Sequence, residues 1–258
     1  DLAAGLLPRR TKLRFSLLAH IHLHAAGEAR HAHDAQAPRL RKMGRMAMTG
    51  LIDSLENAVR KLTWKPRGTE WGKYYTFTNY SPEALEEKKR LVGQFLDGAD
   101  PKSVWDLGAN VGLFSRIASD RGIPTVAFDM DPAAVEKNYL QTVANGETNL
   151  LPLLQDLANP SSSIGWSCSE RMSLGERGPV DCVLALALVH HLAISNNVPL
   201  DRMAEFLSGL CCFLIVEFVP KSDSQVRRML ATREDVFPRY TQDGFEQDFQ
   251  NHFEIQKT

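Results

Sequence analysis

The residues best suited to chemistry in this chain are acids placed where apolar runs end. In Ser103–Ser115 (Ser-Val-Trp-Asp-Leu-Gly-Ala-Asn-Val-Gly-Leu-Phe-Ser) a short apolar run ends in Asp106, and Gly108 and Gly112 then straddle a polar turn holding Ala109 and Asn110. Gly108 lets the backbone come close to a ligand, and the first turn of a following helix offers unpaired N–H groups. A carboxylate just before such a turn suits a cationic ligand and repels a pyrophosphate. The glycines are also spaced G-x-x-x-G, whereas the dinucleotide fingerprint needs G-x-G-x-x-G. A second acid, Asp129, ends the run Thr125–Asp129 23 positions after Asp106. That is near the ~20-residue offset at which a carboxylate holds a ribose diol. The competing role for Asp129 is to cap the next helix, but Asp131-Pro132 supplies that cap and leaves Asp129 for the ribose.

Two histidines, His190 and His191, follow the nearly all-apolar run Val180–Leu188. An imidazole titrates at about 6.5 when unperturbed, so either ring can take a proton from an oxygen nucleophile. Packing or orienting a neighbour is an equal alternative. Glu217 stands in the apolar run Phe213–Val219, and a buried carboxylate needs a partner or a raised pKa. It can bond a loop backbone or the Lys221 region, or assist a base; a structural role is the favoured one.

These residues require particular elements to bring them together. The apolar runs before Asp106 and at Thr125–Asp129, Leu150–Gln155, Val180–Leu188 and Phe213–Val219 read as buried parallel strands. Helical patterns alternate with them, after Gly108, from Ala133 to about Asn145 and from Pro199 to about Leu210. Before the first strand, Ser81 can cap a helix that Pro82 and Glu83 suit, with an apolar face from Ala84 to Leu96 broken by Lys88. Two further helices are expected over 222–231 and 241–252, and a sixth strand begins at Phe253–Lys257. Residues 158–179 are rich in Ser, Gly and Pro and read as a long loop. The result is an α/β doubly wound, mainly parallel sheet with helices on both faces, in which ligands lie beyond the carboxyl ends of the strands.

With these motifs in order, residues 70–258 resemble the class I S-adenosylmethionine-dependent methyltransferases, whose first motif reads D/E-x-G-x-G-x-G; Asn110 replaces the middle glycine. The segments Leu-Ala-Leu-Val-His-His-Leu-Ala-Ile-Ser-Asn-Asn and Val-Glu-Phe-Val-Pro-Lys-Ser-Asp are similar to those of bacterial nodulation-protein-like methyltransferases, in which the methyltransferase is the C-terminal part of a longer chain. The resemblance implies S-adenosyl-L-methionine as cofactor. Asp106 would then hold the amino end of its methionine, Gly108 and Gly112 would admit it, and Asp129 would take the ribose. Met130 would lie against the adenine. Asp156, followed by Leu157, would accept a hydrogen bond from the adenine amino group, with capping or solvent exposure as the alternative. Tyr74, Tyr75 and Tyr80 become candidates for a lid over the cofactor, or else for packing the helix onto the sheet. The resemblance also places His190 and His191 where residues face the transferred methyl. The (N/D)-P-P-(Y/F) signature of base amino methylation is absent, so a small-molecule or sugar oxygen or nitrogen is the expected acceptor, rather than a nucleic-acid base. A binding module without turnover and a nicotinamide oxidoreductase remain the competing functions.

Composition agrees with one α/β domain plus an appendage: 258 residues, 43% hydrophobic, 24% charged. A net charge of −1 carries no footprint for nucleic acid. Cys168, Cys182, Cys211 and Cys212 show neither C-x-x-C spacing nor a disulfide pattern, which fits reduced thiols in the cytoplasm. No apolar run reaches the roughly 18–20 residues of a membrane span. Residues 1–48 hold nine Lys/Arg against three acids. His20, His22, His24, His31 and His33 invite a metal reading, yet only His20 and His24 share a helix face and nothing completes the ligand set, so no metal is expected. The domain organisation expected is therefore a basic segment over 1–69, the remnant of a larger upstream region, and a methyltransferase domain over 70–258. The missing initiator Met, and the lack of residues for a seventh strand, read as cuts at both ends.

Overall fold

A computed structural model describes residues 2–31, 43–62, 64 and 81–258. Tyr74, Tyr75, Tyr80 and His33 lie outside these residues. The chain divides into two compact units, 1–65 and 66–258.

The described part of the first unit is helical. Short helices α1 (Leu2–Leu6) and α2 (Phe15–Leu17) lead through a wide helical turn at Leu18–His22 into α3 (Leu23–His31), and α4 spans Arg45–Arg60. Three of its histidines have local partners. His22 Nε2 lies 2.8 Å from Thr11 Oγ1, His20 Nε2 3.1 Å from Ser54 Oγ, and His24 3.4 Å from Glu28. Among the described residues no group of three His, Cys, Asp or Glu side chains is arranged to hold a metal.

The second unit opens with α5 (Pro82–Ala99). Ser81 caps it by accepting from the Ala84 N–H at 3.2 Å, with Pro82 in the first turn as proline prefers. Five strands follow: β1 (Val104–Leu107), β2 (Thr125–Asp129), β3 (Leu150–Leu154), β4 (Val180–Ala185) and β5 (Cys211–Val216). All neighbours are parallel, in the order β3-β2-β1-β4-β5. Between and after them come α6 (Ser115–Ser119), α7 (Pro132–Asn145), α8 (Leu200–Leu210), α9 (Ser224–Leu230) and α10 (Gln242–Gln250). Strand alternation sorts the core onto two faces. Val104, Cys182, Leu184 and Ile215 pack with Val92 and Leu96 of α5 and with Phe114 and Ala118. Trp105, Leu107, Val183 and Ala185 pack on the other side with Met203, Leu207, Phe245 and Phe249. Asp106 shares the parity of Val104, so its carboxylate emerges on the α5–α6 side.

Three local differences from the sequence-based expectation have physical causes. The helix after the glycine motif starts at Ser115 and not at Val111, because Asn110 (φ 51°) and Gly112 (φ 78°) are left-handed and interrupt helical geometry. The fourth strand ends at Ala185, ahead of Leu188, where left-handed Ala187 (φ 50°) breaks extended geometry, and the fifth ends at Val216, ahead of Val219. Residues Phe253–Lys257 form no strand: Phe253 stacks on Phe249, centroids 6.3 Å apart, and the Lys257 ammonium lies 5.9 Å from the Phe95 ring centre. Side-chain packing has taken the place of backbone pairing there.

Candidate active site

The sheet order reverses direction between β1 and β4, which opens a crevice beyond their carboxyl ends. A cavity of about 340 Å³ occupies that place, in the size range of small-ligand sites. Asp106, Gly108, Ala109 and Asn110 from the end of β1 form one wall, and Asp129 and Met130 from the end of β2 the next. Asp156 and Leu157 follow β3, while Leu186, Ala187, Leu188 and His191 come from the exit of β4. Leu85 and Lys88 of α5 and Phe114 complete the side near Asp106.

Asp106 is buried and accepts a hydrogen bond from Ser115 Oγ at 2.6 Å. Burial pushes its carboxyl up to about 6, and the nearby Asp129 charge adds to this against Ser115 and Lys88. A cation brought beside Asp106 would offset that cost. Gly108 (φ 79°) is left-handed, and a Cβ there would stand 3.2 Å from Leu188 Cδ1. Gly112 is tighter still, with Asn138 Nδ2 only 2.5 Å from a built Cβ, so it shapes the turn from behind and is absent from the cavity lining.

Asp129 is more occupied than its sequence position suggests. Its Oδ2 accepts from the Asn110 N–H and its Oδ1 from the Asp131 N–H, both at 2.7 Å. Asp131 does cap α7, accepting from the Ala133 N–H at 2.8 Å. Asp129 thus fastens two loops while facing the cavity, and each oxygen has a second lone pair for a hydroxyl. Burial raises its pKa against those two backbone bonds. Met130 is largely exposed at the cavity edge. Asp156 is exposed and accepts from the Ala158 N–H at 2.8 Å, a local turn of the kind its alternative role required.

The two histidines separate. His191 lines the cavity, whereas His190 does not and is only 4% exposed, with Nδ1 unpartnered among the described residues. Their rings lie 4.2 Å apart. Burial, and then the neighbouring His191, pull His190 down to about 3; burial alone lowers His191. Both are favoured in the neutral form near pH 7, and of the two only His191 lines the cavity.

Several participants were not assigned a role in the sequence. Ser115 ends the quoted motif, Ser195 and Asn196 line the cavity beyond His191, and Lys88 interrupts an apolar helix face. Glu217 bonds the Ala187 N–H at 2.8 Å and Lys88 Nζ at 2.7 Å, while Lys221 pairs with Asp235 instead. A lone cation on a core-facing stripe and a lone acid in an apolar strand were the available signals for that pair.

The fold and its cavity have the architecture of class I S-adenosylmethionine-dependent methyltransferases, with a buried carboxylate, a left-handed glycine and a second aspartate on the cavity wall. The chain is similar to the nodulation protein NoeA of Rhizobium meliloti (strain 1021), at 37% identity over 213 residues. That match takes in 82% of this chain and 44% of NoeA, so the chain spans less than half of that relative's length. Among solved structures it is similar to magnesium protoporphyrin IX methyltransferase (ChlM) from Synechocystis PCC 6803 with bound SAH, at 17% identity and a TM-score of 0.48, covering 80% of this chain and 88% of that one. The PH0226 protein from Pyrococcus horikoshii OT3 is similar at 16% identity and a TM-score of 0.48, covering 74% and 92%. No family model matches the chain.

Proposed function

We propose that this chain transfers a methyl group from S-adenosyl-L-methionine to an oxygen or nitrogen of a small molecule or sugar, in the cytoplasm. One observation carries this: a single cavity at the sheet's switch point has Asp106 and Asp129 on one side and a neutral histidine, His191, on the other. The cofactor supplies a methyl on a sulfonium. Asp106 holds the amino end, Gly108 and Ala109 let the ligand lie on the backbone, and Asn110 keeps Asp129 in place for the ribose. Asp156 and Leu157 flank the adenine, with Met130 at its edge; Gly112 supports the turn. The acceptor enters beside Ser195 and Asn196. His191 would take the proton that the nucleophile loses as its bond to the methyl carbon forms and the carbon–sulfur bond breaks, its electron pair staying on the departing thioether, and His190 would orient His191. Most of the rate comes from holding the partners in line. Residues 70–258 form the domain that does this.

The test is calorimetric titration with S-adenosylhomocysteine. Micromolar binding is expected, on the order of −8 kcal/mol. Asp129→Ala should weaken it by about tenfold or more, which is about 1.4 kcal/mol. Asp129→Asn keeps an oxygen for one loop amide and separates ligand contact from loop order. Absence of binding by the full-length protein would overturn the proposal.

A further inference from the structure

Ala187 has φ 50°, left-handed although it carries a Cβ. Such residues persist only where their surroundings hold them. It lies in the turn that leaves β4, between Leu186 and Leu188 on the cavity wall. What holds it is Glu217, just beyond β5, whose Oε2 accepts the Ala187 N–H at 2.8 Å while its own N–H donates to the Ala185 carbonyl at 3.1 Å. The same Oε2 receives Lys88 Nζ at 2.7 Å, across 129 residues of sequence. Both side chains are mostly withdrawn from solvent, 13% and 25% exposed, and the ammonium also sits 4.8 Å from the Phe114 ring centre.

The turn passes this constraint onward. Leu188 packs behind Gly108, and its carbonyl accepts from the His191 N–H at 2.9 Å and the Leu192 N–H at 3.2 Å. Displacing Ala187 therefore displaces the leucine behind the cofactor turn and the histidine facing the acceptor together. We propose that Glu217, locked by Lys88, is a positioning residue that pins the strained Ala187 turn and so sets where Leu188 and His191 stand. The roles of cofactor and acceptor in this statement rest on the methyltransferase proposal above; the pinning itself does not.

A buried ion pair that served stability alone would leave a different signature. Glycine adopts φ > 0 without the Cβ penalty. If Glu217 works through Ala187, the Ala187→Gly change should repair its loss. Hydrogen exchange of the His191 amide in ligand-free protein should quicken by about tenfold or more in Glu217→Ala, since weakened local structure opens more often. It should return to within about threefold of the parent in Glu217→Ala/Ala187→Gly. Glu217→Gln keeps an oxygen for the Ala187 N–H and should stay near the parent, which guards against a general folding defect. Affinity for S-adenosylhomocysteine should follow the same order, with about a tenfold loss and recovery. Unchanged exchange in Glu217→Ala, or a loss that Ala187→Gly leaves unrepaired, overturns the inference. A parent protein that fails to bind the ligand overturns the methyltransferase proposal instead, and the exchange data still decide this one.

Discussion

Asp106 is buried, charged at neutral pH and faces the cavity. Its carboxyl is raised from 3.8 to about 6, chiefly by burial. Because the folded protein holds that proton more tightly than the unfolded chain, the stability Asp106 contributes is complete below about pH 3.8 and is lost as pH rises through about 6. Asp106→Asn should therefore raise unfolding free energy at pH 7.5 by on the order of 2–3 kcal/mol, with the gain vanishing near pH 4. Thermal melts of both proteins across that range check it. The same substitution should weaken S-adenosylhomocysteine by about tenfold or more, because the ligand's ammonium loses its counter-charge. The place of Asp106 on the cavity wall was legible from its position before the glycine turn. The division between His190 and His191 was not, because adjacent residues in a run differ only by the direction that the turn after β4 gives them.

The loop from β1 to α6 shows how an element can be recognised and still be mismeasured. Its glycines and apolar residues marked a strand–turn–helix unit, yet two left-handed residues extend the turn to Ser115. Gly112→Ala should destabilise the protein by about 1–3 kcal/mol, since a left-handed alanine is strained and its Cβ would press on Asn138. Denaturant titration gives the value, and a cost below about 0.5 kcal/mol would show that the turn relaxes freely. Strand identity was legible because parallel strands buried on both faces are continuous apolar runs, as in Val180–Ala185. The Lys88–Glu217 bond was not. Each residue announced that it needed a partner, but only the packing of α5 beside the end of β5 shows that they need each other.

At the scale of the molecule, every described residue lining the cavity lies at or after Leu85, within the unit spanning 66–258. Residues 70–258 expressed alone should fold and bind S-adenosylhomocysteine within about threefold of the whole chain, as a domain with its own core does. Calorimetry on both proteins checks this; a loss of tenfold or more would give the first 69 residues a part in binding. No helix among the described residues is long and apolar enough to cross a membrane. The order of elements was legible from sequence because βαβ connections leave little topological freedom. The fate of 253–257 was not, because a short alternating segment looks like a strand whether or not a neighbour accepts it.

Two amides of cavity-lining residues are held by carboxylates, Asn110 by Asp129 at 2.7 Å and Ala187 by Glu217 at 2.8 Å. Protons held between an amide nitrogen and a carboxylate are magnetically distinct from those of ordinary peptide bonds. The Asn110 and Ala187 amides thus serve as intrinsic spectroscopic markers, one on the wall formed after β1 and one on the wall formed at the exit of β4. Each side of the cavity can be followed separately in solution, without attaching a probe to either.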